Sequence, residues 1–224
     1  MKPVQTKIMI VASMHGYHKN HPSYTYEKLY RLIDDFNPDF VGVEIRPEDM
    51  GAKKRYLQQY YPQEMIELSI QYGKYAFGFD WLGDDIAGQA IPENHLENNE
   101  LLQLEQLLEK DDSFQSDELE RLNKARMDII KTATPNTLIG GQYGVLTRKV
   151  RRITEDMLRG SQYEPITHFN VQREQKINDN ITRWLKQHLG KRIALVMGAD
   201  HCTYVLENIK KQFGSQIKII PIKT

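Results

Sequence analysis

A chain of 224 residues with 30 Lys plus Arg against 30 Asp plus Glu carries no formal net charge, which excludes a broad basic surface for nucleic acid or an anionic membrane. Its one cysteine, Cys202, excludes an internal disulfide and suits a reducing compartment. No run approaches the roughly 20 apolar residues that span a bilayer, and the short apolar segment near the amino terminus reads better as a strand than as a signal peptide. The expectation is a cytoplasmic protein forming one α/β domain over 1–224.

Ile8-Met9-Ile10-Val11-Ala12-Ser13-Met14-His15 is an apolar run that stops at a histidine. Without polar alternation, and followed by the polar loop from Gly16 to Pro22, it predicts a strand buried on both faces of a parallel sheet. His15 then sits just past the carboxyl end of that strand, the edge where open α/β sheets bind ligands. Ser23 caps a predicted helix from Tyr24 to Phe36, ended by Asn37-Pro38-Asp39. Phe40 to Ile45 is a second strand, making the first 45 residues a right-handed βαβ unit with adjacent parallel strands. Glu44 lands at its carboxyl end. A helical stretch over about 52–72 leads to a third strand, Tyr75 to Asp80, which brings Asp80 to the same edge.

From Trp81 to about Pro165 the sequence turns polar and helix-periodic. Leu96, Leu101, Leu104 and Leu108 mark one helix; Leu119, Leu122, Arg126, Ile129 and Ile130 mark another that starts near Ser116. Gly140-Gly141-Gln142-Tyr143-Gly144 reads as a flexible turn, and Arg148 to Leu158 as a helix whose basic run, Arg148 to Arg152, faces solvent. Residues 82–165 are thus expected to form a mainly helical insertion or cap over the carboxyl ends of the strands. Thr167 caps a long helix to about Leu189, stopped by Gly190. Arg173 lies on the inward stripe of that helix, where a guanidinium must reach a carboxylate, a ligand or water. Ile193 to Met197 is another buried strand, and Gly198-Ala199-Asp200-His201 repeats the strand, turn and histidine grammar of the first. A helix with Val205, Leu206, Ile209 and Phe213 precedes a last strand, Ile217 to Ile222, which Pro221 confines to an edge. The fold class is α/β, with a mainly parallel central sheet flanked by helices.

His15, Glu44, Asp80 and His201 leave four strands at one end of that sheet. Imidazoles with one or two carboxylates can bind a divalent metal such as Mn or Zn, whose bound water becomes a nucleophile. Without a metal, a Glu–His pair activates water directly. Asp80 supplies a further ligand or orients one, and Arg173 stabilises an oxyanion or holds a substrate carboxylate. The helix dipole disfavours a charged His201, so a neutral ring is expected there. His18 and His21 are expected to face solvent, Asp200 to cap a helix, and Cys202 to pack.

Ala12-Ser13-Met14-His15 and Gly198-Ala199-Asp200-His201, with Val43-Glu44 after the βαβ unit and Arg173 on a late helix, resemble the TraB/PrgY, TIKI and GumN families within the wider erythromycin esterase and ChaN-like group. The resemblance covers the first 80 residues and the last 60 or so. Ala12 replaces the glycine of the first G-x-x-H motif, and Trp81 follows Asp80 where the TraB-like pattern often has arginine. The resemblance implies a metal-dependent peptidase or other hydrolase acting on a peptide or small-molecule substrate, or haem binding as in the ChaN branch. A structural or regulatory module built on a buried ion-pair network is the third class.

Overall fold

The computed structural model describes residues 4–222. Its centre is a sheet of β1 (Thr6–Ser13), β2 (Phe40–Val43), β3 (Ala76–Gly78), β4 (Arg192–Gly198) and β5 (Ile217–Ile219), all parallel, in the order β3-β2-β4-β1-β5. Helices cover both faces, so the central strands are apolar without alternation; Ile8, Val11, Ile193, Leu195 and Val196 are fully buried.

The first two strands are not neighbours. β4 lies between them, with Ile10 opposite Leu195 and Val43 opposite Val196. Adjacency within a βαβ unit is only a local preference, and the centre of a sheet goes to the longest strands without a polar face. β1 and β4 meet that demand, whereas β2 and β5 are short. Pairing along β5 ends at Ile219, and Pro221 falls beyond it, on an edge strand as its missing amide requires.

Around the sheet lie α1 (Tyr26–Phe36), α2 (Lys54–Tyr60), α3 (Gln63–Tyr72), α4 (His95–Asn98), α5 (Glu100–Leu108), α6 (Asp117–Lys131), α7 (Gly141–Leu158), α8 (Glu164–Gln187) and α9 (Ala199–Phe213). Several boundaries differ from expectation. Thr25 rather than Ser23 caps α1, its side chain accepting from the Lys28 amide, because the Ser23 hydroxyl is donated to the Ala133 carbonyl. The stretch 52–72 is two helices, since Pro62 has no amide hydrogen to continue one. α8 starts at Glu164, and Thr167 lies inside it. Ser116 does cap α6, accepting from Leu119. No strand falls between 82 and 165. With the start of α8 that segment forms a small core of Leu158, Tyr163 and Ile166, against which Leu101, Leu104 and Leu108 pack; the Leu96 side chain lies outside the described residues. Gly141 and Gly144 belong to α7, and a Cβ at Gly144 would run into Thr203 of α9. The expected flexible turn is therefore a close helix contact. Among the described residues no helix is long and apolar enough to cross a membrane.

Candidate functional site

Sheet order aligns the residues just past each strand: Asp80 after β3, Glu44 after β2, Gly198 and His201 at the end of β4 and beyond it, His15 after β1. Arg173, from α8, donates through Nε and Nη2 to the two Asp80 oxygens, 2.9 Å each, and through Nη2 to Glu44 Oε1 at 2.9 Å. The Gly198 amide donates to Glu44 Oε2 at 2.6 Å. His201 donates through Nδ1 to Glu174 Oε2 at 2.9 Å, and its Nε2 lies 3.4 Å from Glu44 Oε1. A Cβ on Gly198 would lie 3.0 Å from His15 Nε2 and 3.4 Å from Glu44 Oε2, so glycine is what lets the two groups approach. Five sequence-predicted residues, His15, Glu44, Asp80, Arg173 and His201, therefore meet at one edge.

His15 has a partner that strand grammar does not reveal. Glu64, wholly buried at the start of α3, accepts through Oε1 from His15 Nδ1 at 2.8 Å and from the Ser13 hydroxyl at 2.6 Å. Ser13 Oγ in turn accepts from the His15 amide at 3.0 Å. This brace holds His15 in the left-handed region, φ 51°, a conformation that costs a non-glycine residue energy and persists where its surroundings impose it. A signal for it exists in helical spacing: Glu64 shares a helix face with Leu68, both fully buried, as Arg173 shares one with Ile177.

His18 and His21 are not solvent-facing. His18 is fully buried. It donates through Nδ1 to the Tyr24 carbonyl at 2.6 Å and accepts through Nε2 from the Met14 amide at 2.9 Å, which fixes a neutral tautomer; burial lowers its pKa despite the Tyr24 bond. His21 joins the Ile130 carbonyl to the Tyr24 amide. Both rings satisfy loop backbone groups that would otherwise be buried unpaired. Asp200 does not cap α9; it accepts from Arg126 and from the Tyr143 hydroxyl.

The charge state of His201 is also reversed. Burial opposes a charged ring, but Glu44 and Glu174 on either side outweigh it and raise the pKa to about 10. Two carboxylates at contact distance exceed the dipole of one helix terminus. Glu44, whose burial alone would favour the neutral acid, is held well below the carboxylate range by His201 and Arg173. His15 is likewise raised: burial lowers it, while the Glu64 hydrogen bond and the Glu44 charge more than compensate. Cys202 is buried and its thiol pushed well up, as befits a packing residue.

No protein-family model matches the chain, and no curated protein or solved structure matches it. The family resemblance thus rests on the quoted motifs alone. As a metal centre the donor set fits poorly. Glu44 and Asp80 spend their oxygens on Arg173 and Gly198, and His201 is an imidazolium between acids. Among the described residues no group of three His, Cys, Asp or Glu side chains is arranged to hold a metal. A divalent ion would have to displace the Arg173 guanidinium from the same carboxylates. Among the described residues His15 Nε2 has neither a hydrogen bond nor an ion-pair partner, whereas His201 Nε2 faces Glu44 Oε1 at 3.4 Å.

Proposed function

We propose that this edge is the active site of a hydrolase that activates water by general acid–base chemistry without a resident metal. The observation that carries the reading is the contrast between the two histidines: His15 presents a free Nε2 backed by buried Glu64, whereas His201 is charged and sits between two acids. Neutral His15 takes a proton from water as its oxygen attacks a carbonyl carbon, and Glu64 stabilises the imidazolium that forms. The new oxyanion meets the positive charges of Arg173 and His201. His201 Nε2 gives its proton to the leaving oxygen or nitrogen as that bond breaks, and proton exchange with solvent resets both rings. The TraB/TIKI-like resemblance supports ester or peptide bonds as the substrate class.

The test is turnover of an ester and peptide panel with chelator, and again with Mn or Zn added. The expected outcome is activity that survives chelation and falls roughly 10²–10⁴-fold in kcat/KM for His15→Ala. Activity only with added metal would transfer the reading to metal-assisted hydrolysis, and no turnover under either condition would end it. The tetrapyrrole alternative has one observation in its favour, a cleft of about 790 Å³ beside the site that includes Trp81, Phe169, His95 and His168. A haem titration without a Soret shift would exclude it.

A further inference from the structure

Beside His201 and Arg173 lies a chamber of about 300 Å³, walled by α6, α7, α8 and α9. We infer that it is a recognition pocket for an oxyanion group of the substrate, a phosphate or a carboxylate, with Arg151 as its specificity-determining residue. This deepens the hydrolase reading and depends on it only for the word substrate.

The charges are layered. Glu44, Asp80 and Glu174 stand behind, their side chains only 7%, 2% and 9% exposed. Nearer the opening stand the cations Arg126, Arg151, Arg173 and His201, with side chains 16%, 23%, 25% and 14% exposed, together with Asp200, which is 48% exposed and paired with Arg126. Arg151 does not face solvent with the rest of its basic run. Instead its Nη2 donates to Glu174 Oε2 at 3.2 Å, and its guanidinium carbon lies 4.2 Å from the centre of the Tyr204 ring. Carboxylate and ring fix the guanidinium plane and leave Nε and Nη1 without a protein acceptor among the described residues. Arg126 pairs with Asp200 through Nη2, but its Nε is buried with no partner. Arg173 Nη1 also has no protein acceptor among the described residues. Thr147, Thr154 and Asn170 add neutral polar groups to the wall. Planar, weakly hydrated guanidinium forks fit phosphate and carboxylate oxygens. Two acids also reach the chamber: Asp200 is tied to Arg126 and Tyr143, whereas Glu155 has no cationic partner among the described residues and weakens anion binding.

Calorimetric titration of the full chain with inorganic phosphate and with succinate tests this and tells the two anion types apart. The expected result is one saturable site for at least one of them. Arg151→Gln weakens binding about tenfold or more. Thr154→Asp, which removes no member of an existing ion pair, abolishes it, and Glu155→Gln strengthens it several-fold. His15→Ala binds as wild type does. No saturable binding of either anion, or equal binding by wild type and Thr154→Asp, overturns the inference. Anion binding without turnover of any substrate would keep the chamber and remove the hydrolase; turnover without anion binding would do the reverse.

Discussion

Gly198 lies between two of the site's groups, with His15 Nε2 and Glu44 Oε2 both crowding the place a side chain would take. Its φ of −53° is open to any residue, so Gly198→Ala tests crowding rather than backbone strain. The variant should fold, losing about 1–3 kcal/mol to overpacking, while kcat/KM drops far more than the lost stability explains. Unchanged turnover would mean that His15 and Glu44 need not be neighbours during the reaction. The Glu64–His15 brace makes a separate prediction. Activity should rise with pH as His15 loses its proton, with a midpoint above the ordinary 6.5 because Glu64 and Glu44 favour the charged ring over the opposing effect of burial. Glu64→Gln removes the carboxylate charge and should move that midpoint down. A midpoint that stays put in a folded Glu64→Gln protein would deny Glu64 its role.

Individual elements are held in place by a few residues that sequence periodicity reads only in part. The strand ends were legible because apolar runs without alternation stop abruptly at His15, Glu44 and His201. The order of those strands was not, since which strand β2 pairs with depends on β4, some 150 residues away in the chain. Gly144 shows a similar limit: glycine-rich sequence suggests a turn, but here it permits α7 to touch α9, the helix that carries His201. Arg46 has no periodic signal to mark it as buried. Only 1% exposed, it donates to Asp49 at 2.7 Å, to the Ile86 carbonyl at 2.8 Å and to the Gln89 carbonyl at 2.9 Å. It thereby ties the start of the helical segment to the end of β2. Arg46→Ala leaves the buried Asp49 carboxylate with the Tyr56 and Tyr61 hydroxyls but no counter-charge and should cost about 3–5 kcal/mol in denaturant unfolding; a change under about 1 kcal/mol would show that the tie is dispensable.

The molecule as a whole gathers alternating charges from five separated segments, Glu44, Asp80, Arg173–Glu174, His201 and Arg151, into one buried cluster. That Glu44, Asp80 and His201 meet at one edge was legible from strand grammar, and Arg173 from its place on the inward stripe of α8; Glu174 and Arg151 were not, and without Glu174 the protonation state of His201 was not legible either. The cluster links stability to pH. The folded pKa of His201, about 10, exceeds the ordinary 6.5. Its contribution is therefore complete below 6.5 and is lost as pH rises through 10, with a slope of at most about 1.4 kcal/mol per pH unit. Thermal unfolding should show Tm falling across that window, and His201→Gln should flatten the fall. The two imidazoles can also be followed directly by NMR titration of the folded protein, with His15→Ala and His201→Gln to assign the signals. His201 should stay protonated through neutrality and titrate near 10, while His15 titrates separately, above the ordinary 6.5. If His201 were neutral at about pH 7, or both rings titrated together at the ordinary value, the division into a base and a charged partner would be wrong.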